Sequence, residues 1–188
     1  MGYEFEGHPA HIPESPLPGE DPIAYVTRLA RQKAEAVYSE INAEPGSDPR
    51  SRSNSDLIVL GADTTVTLDG HILEKPVDAA DAARMLRLLS GRTHRVITGV
   101  AVVGAANSGP RADVAAEVTA VRFVTLSEEE IAAYIATGEP MDKAGAYAIQ
   151  GRAAKWIPRI EGDYFNVVGL PLALVAAMLE PWRQVTSG

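Results

Sequence analysis

Apolar positions along this chain follow two rhythms, and the switches between them divide it into elements. In the segment from Gly19 to Ile41, Val26, Leu29, Ala30 and Val37 recur at helical spacing behind Asp21 and Pro22, a cap residue followed by a proline suited to the first helical position. The spacing predicts a long first helix. Lys33 falls on its apolar stripe, seven residues after Val26 and four before Val37. A lysine there either snorkels to the edge or meets an anion, and on pattern alone snorkelling is favoured. Residues 42–56 are polar, rich in Ser, Pro and Asp and without periodicity, and read as a mobile loop.

The run Leu57 to Leu60 reads as a strand buried on both faces, ending before Asp63, Thr64 and Thr65 and a turn at Asp69-Gly70. Ala82, Met85, Leu86 and Leu89 predict a helix between Asp78 and Gly91. Residues 94–103 and 117–126 read as the two strands of a long hairpin, with a loop over 105–113. Ser127 and Glu130 have capping-box spacing at the head of a helix that stops at Gly138. The segment YFNVVG, 164–169, reads as a short strand, and Pro171 opens a last helix carrying Leu172, Val175, Ala176 and Leu179. Strands and helices alternate without repeats, so the expected class is α/β.

Composition narrows the chemistry. With 188 residues, 46% of them hydrophobic, the chain can bury a core of single-domain size, over residues 1–188. It has no Cys, which removes disulfides, thiolate metal sites and cysteine nucleophiles and suits a cytoplasmic setting. A formal charge of −8 argues against nucleic acid as a partner, and no apolar run or leader pattern indicates a membrane. An anionic small substrate would need local cations or a metal.

Asp63 at a strand end is a turn residue or a catalytic one. Further along, Glu74 and Lys75 precede Pro76, and Asp142 and Lys143 precede Gly145 and Gly151, glycines that would let backbone approach a ligand closely, with Gln150 between them. His94 stands alone beside a strand and reads as structural. The P-loop, dinucleotide and nucleophile-elbow motifs are all missing from the sequence. What is left, carboxylates with lysines, suits phosphate chemistry on a divalent metal.

The segments LGADTTV, EKP, LSGRTHRVITGV, EPMDKAGAYAIQG and GDYFNVVGLPL occur in the order found in the Maf family of nucleoside triphosphate pyrophosphatases, and the likeness spans nearly the whole chain. HIPESPLPGEDPIAYVTRLARQKA resembles that family's acidic segment and first long helix. The resemblance implies a two-lobed α/β fold of the Maf/inosine-triphosphatase kind, around a long mixed sheet with a nucleotide cleft. It also implies hydrolysis of a nucleoside triphosphate between the α- and β-phosphates, with Mg²⁺ or Mn²⁺, and it admits a homodimer. Asp63 matches the proton acceptor and Glu14 an acidic residue near the metal, so that Glu14 and Asp63 are the implied metal ligands. Lys33 and Lys75 match phosphate-facing cations, and Lys143 joins them at the substrate. Thr64 and Gln150 match positions tied to base choice in the branch acting on dTTP and UTP.

Family members begin with a strand and an S-x-S-P-R-R loop ahead of the point matching Tyr3, whereas this chain opens on YEFEGHPAHI, the segment matching the second strand. The expectation is a sheet without its first strand and a phosphate site without its arginine forks. Either the start lies upstream or the chain is a shortened, impaired homologue that binds nucleotide in a regulatory role. A haloacid-dehalogenase-like phosphatase is a further alternative, because DTTVTLDG imitates that family's nucleophile loop. The required downstream acidic pair is missing, with only Asp163 in GDYFNVVG.

Overall fold

The computed structural model describes residues 2–43, 57–106 and 109–183. Helix α1, Pro22–Ala43, starts where the sequence places it. Asp21 Oδ1 accepts from the Ile23 and Ala24 amides at 2.9 and 3.2 Å, satisfying donors that the first turn leaves open. Its stripe is buried, with Val26, Leu29 and Ala30 at 0% exposure. Of the stretch read as a loop, Asn42 and Ala43 close this helix and 44–56 lies outside the described residues.

Strand β1, Ile58–Leu68, is the first correction: it does not end before Asp63 but runs straight through it. It is not buried on both faces at its start either, since Leu60 is 38% exposed. Asp63 and Thr64 are tolerated inside a strand because each side chain has a partner, Lys33 and Thr98 respectively. The turn expected at Asp69-Gly70 is present, with φ of 53° and 80°. Those two left-handed residues form the kind of two-residue loop that matches strand twist, and it leads directly into β2, His71–Leu73.

Helix α2, Ala79–Leu89, is capped by Asp78, whose carboxylate accepts from the Asp81 amide. Strands β3, Thr93–Ala106, and β4, Gly109–Arg122, form the long hairpin. Its strands continue through most of 105–113, where a loop was expected, because pairing persists to Ala106↔Gly109. Helix α3, Glu128–Ile135, carries the complete Ser127/Glu130 capping box. Beyond it come three short 3₁₀ turns, then β5, Arg159–Glu161, α4, Tyr164–Val168, and α5, Leu172–Arg183. The α4 segment corrects the strand reading of YFNVVG. Asp163 caps it through the Phe165 amide at 2.8 Å and Gly169, at φ 120°, stops it, so local capping outweighs the β-branched pair Val167-Val168. The segment matching the family's second strand forms no strand either: residues 2–16 carry no regular element and Phe5 is 90% exposed.

Among the described residues the sheet order is β2-β1-β3-β4-β5 and all four pairings are antiparallel, where a mixed sheet was expected. Side chains alternate across it. One face carries Val59, Ile97, Ala101 and Val103 against α1. The other carries Val66, Leu68, Val96 and Val121 against α2, α3, Tyr147 and Trp156, so the sheet is the shared wall of two packed halves. Contact with α1 is close because Gly61 and Gly99 leave room for it: a Cβ at Gly99 would strike the Val26 carbonyl group, and one at Gly61 the Ala30 carbonyl oxygen. On its other edge β1 pairs only with β2, over Val66–Leu68, so among the described residues the edge from Ile58 to Thr65 has no strand beside it.

Candidate active site

That open edge borders a cleft of about 550 Å³ lined by Glu14, Lys33, Asp63, Thr64, Lys75, Lys143 and Gln150, all seven of the site residues that the family resemblance implies. They come from four places: the segment before α1, α1 itself, β1 with the loop after β2, and the 3₁₀ turns beyond α3.

The centre is Lys33. Its Nζ donates to Asp63 Oδ1 and to Glu14 Oε1, both at 2.7 Å. The lysine on the apolar stripe therefore meets anions and does not simply snorkel. Burial by itself lowers the Lys33 pKa, but the hydrogen bonds from Asp63 and Glu14 outweigh it, and the ammonium is held more firmly charged than usual. At Asp63 burial is the largest influence and wins: the carboxyl sits above its ordinary value although Lys33 pulls it down. Glu14 raises it further and Lys75 lowers it.

Glu14 is placed by contacts that no local pattern announces. Tyr25, on α1, donates its hydroxyl to the Glu14 carbonyl at 2.8 Å. Arg28 forks onto Glu20 at 2.6 and 2.7 Å and donates to the Ser15 carbonyl at 3.2 Å, which ties the Glu14–Glu20 segment to the helix. This pairing pulls the Glu20 carboxyl down to about 2, mainly through its hydrogen bond with Arg28. Glu74, on the same cleft, lies 3.5 Å from the Tyr25 hydroxyl.

Lys75 lowers both the Asp63 and the Asp142 carboxyls, yet among the described residues it is hydrogen-bonded to neither. Lys143 pairs with Asp142 at 2.7 Å. Gly145 and Gly151 do bring backbone close, but to protein: a Cβ would strike the Val66 side chain at Gly145 and the Glu139 carboxylate at Gly151. His94 is buried at 2% exposure, its Nε2 2.8 Å from the Tyr147 hydroxyl, in keeping with a structural role. Asp163, on which the phosphatase alternative relied, caps α4 and is not among the residues lining the cleft.

Asp63 and Thr64 are adjacent in a strand and so point to opposite faces. Asp63 turns toward α1 and Lys33. Thr64 turns toward α4, its Oγ1 2.8 Å from Thr98 Oγ1 and 3.4 Å from the Gly169 carbonyl. The cleft wraps the strand edge and reaches both sides.

Two carboxylates share one ammonium here, with a second and a third lysine on the same cleft. The donor set is hard oxygen, which suits Mg²⁺ or Mn²⁺ held by one or two carboxylates while phosphate oxygens and water fill the other positions. No preformed cage of three or more His, Cys, Asp or Glu residues exists among the described residues. No helix among them is long and apolar enough to cross a membrane.

Comparison with known proteins matches the chain to one family. The family model described as Maf-like protein aligns with residues 1–182. A protein of Koribacter versatilis named dTTP/UTP pyrophosphatase is 51% identical over 176 residues, covering 93% of this chain and 82% of that one. Proteins of the same name from Geobacter sulfurreducens and Aromatoleum aromaticum are 52% and 49% identical, covering 93% and 96% of this chain and 83% and 86% of theirs. With a family model matched over almost its whole length and relatives near half identity, the chain belongs to the Maf-like family.

Proposed function

We propose that this protein is a nucleoside triphosphate pyrophosphatase that converts dTTP and UTP to the monophosphate and pyrophosphate. The observation that carries the reading is the convergence of Asp63, Lys33 and Glu14 at 2.7 Å spacings in a cleft that also holds Lys75, Lys143, Thr64 and Gln150. The relatives near half identity carry that activity in their names.

In this reading Asp63 is the general base. A carboxylate whose pKa burial has raised takes a proton from water more readily than an ordinary one, and Lys33 holds it in place. Lys33, Lys75 and Lys143 offset the triphosphate charge. Glu14 and Asp63 would hold a divalent cation, which supplies Lewis-acid polarisation of the phosphoryl oxygens. Thr64 and Gln150 face the base. A cytoplasmic setting and a homodimer belong to the same reading through the family resemblance.

The test is a product assay on a panel of nucleoside triphosphates with Mg²⁺ or Mn²⁺. Pyrophosphate should be the first product, with dTTP and UTP the preferred substrates. Orthophosphate as primary product would place cleavage at another bond and overturn the assignment.

A further inference from the structure

Beneath Thr64 lies a set of polar side chains that a sheet face packed on helices would not be expected to hold. Thr98, Thr119 and Asn166 are all at 0% exposure. Asn166 Nδ2 donates to the Val96 carbonyl and to Thr119 Oγ1, both at 3.0 Å. Thr119 Oγ1 in turn donates to the Asp163 carbonyl at 2.9 Å. Val96 offers only an acceptor, so the amide cannot be turned round, and α4 is pinned to β3 and β4.

The consequence reaches Thr64 through one proton count. A threonine hydroxyl has a single proton to give and can accept at the same oxygen. Thr98 Oγ1 gives its proton to the Asn166 carbonyl at 3.1 Å. In its 2.8 Å contact with Thr64 it must then accept, so Thr64 is the donor. The alternative, in which Thr98 donates to Thr64 and Thr64 to Gly169, replaces the 3.1 Å bond with one of 3.4 Å. In both of these the Thr64 proton is spent inside the protein; freeing it for the cleft requires Thr98 to turn its own proton onto Thr64 and give up the 3.1 Å bond to the Asn166 carbonyl. What its oxygen offers to the cleft is a lone pair.

We infer that Thr98, anchored on the Asn166 carbonyl, is a positioning residue that fixes Thr64 as a hydrogen-bond acceptor toward the base, so that the site selects pyrimidines presenting a ring N–H. This rests on the proposed function, in which Thr64 faces the base. Uracil and thymine carry an imide N–H at ring position N3, whereas cytosine carries a lone pair there. Cytosine would set lone pair against lone pair, and relief would require Thr64 to recover its proton by breaking a bond within the protein.

The experiment compares kcat/KM for UTP and CTP, read as pyrophosphate release, in the wild type, Thr98→Val and Thr98→Ser. The valine keeps the shape and frees the Thr64 proton; the serine keeps the hydroxyl. The wild-type preference for UTP should shrink about tenfold or more in Thr98→Val, the size of effect set by one hydrogen bond to a buried group, and return in Thr98→Ser. A merely structural role would lower both substrates together and leave the ratio in place, which would overturn the inference. If Thr98→Val does not fold, Thr64→Val decides: the ratio of kcat/KM for UTP over CTP should fall, and equal losses for the two substrates refute the acceptor role. A wild type that releases pyrophosphate equally from UTP and CTP overturns base selection by Thr64 alone. One that releases none from either overturns the pyrophosphatase reading, and this inference with it.

Discussion

Replacing His94 by Gln should flatten the acid side of the stability profile. The ring is enclosed by Phe123 and Tyr147, at centroid distances of 5.0 and 5.4 Å, and is 2% exposed. Burial pushes its pKa from 6.5 down to about 4. Nδ1 has no hydrogen-bond partner among the described residues, so a second ring proton would be buried without an acceptor. The folded pKa is depressed, so the stability tied to the neutral ring is complete above the unfolded value of 6.5 and is lost as pH falls toward 4. The full difference corresponds to about 3 kcal/mol, of which about 2 kcal/mol is already lost near pH ~5. Carboxylates elsewhere also weaken the protein in acid, so the informative quantity is the difference between two proteins. Glutamine keeps a polar group for the Tyr147 hydroxyl and does not titrate. Urea unfolding near pH ~8 and pH ~5 should show the variant losing about 2 kcal/mol less than the wild type between the two conditions, whatever its fixed cost from imperfect packing. Equal losses in the two proteins would mean that His94 accepts its proton in the folded state at an ordinary pH, and the burial argument would be wrong.

Asp63→Asn should cut turnover by roughly 10² to 10⁴ while leaving the melting temperature unchanged or higher. The sign follows from burial: the folded Asp63 pKa lies above 3.8, so its contribution to stability is favourable below that value, is lost as pH rises through the folded value, and leaves a cost at neutral pH. A large fall in melting temperature would make Asp63 structural. Gly99→Ala should lower Tm by roughly 2 to 12 °C, because the new Cβ meets the Val26 backbone, which cannot yield as a side-chain tip would. Gly7→Ala, where nothing lies within 4 Å, is the control that should not move.

The helices were legible in the sequence where capping chemistry is local. Asp21, Asp78 and Ser127 each cap the helix they were expected to cap. The stripe of α1 matches its buried face and marks Lys33 as out of place, although the pattern alone favours snorkelling over the anions that Lys33 meets. Legibility failed where distant parts decide. Asp63 looked like a strand's end because polar residues usually mark one, but here α1 supplies the partner thirty residues earlier in the chain. Nothing in the local pattern marks Tyr25, whose hydroxyl donates to the Glu14 carbonyl. The pairing of Asn166 with Val96 spans 70 residues, and no local pattern announces it. The loop expected over 105–113 failed for the opposite reason: small and polar residues there pair across the hairpin regardless of their weak propensity.

The alternation of β1 makes two adjacent residues answer to different neighbours. Asp63 is held by a helix on one side of the sheet, and Thr64 by a buried chain of hydroxyls and an amide on the other. On the proposed function, cutting and recognition are one peptide bond apart in the chain and yet are supported by separate halves of the molecule. On that same reading, substitutions among the supports of Thr64 would alter which base is admitted without disturbing the group that handles water, and the reverse would hold for the supports of Asp63. The same arrangement is unforgiving of misalignment: a slip of one residue in β1 would exchange the two side chains and disable both tasks together. The tight Asp69-Gly70 turn and the helix seated on Gly61 and Gly99 guard against that slip. A protein built this way is free to diversify its choice of substrate while its hydrolytic half stays fixed.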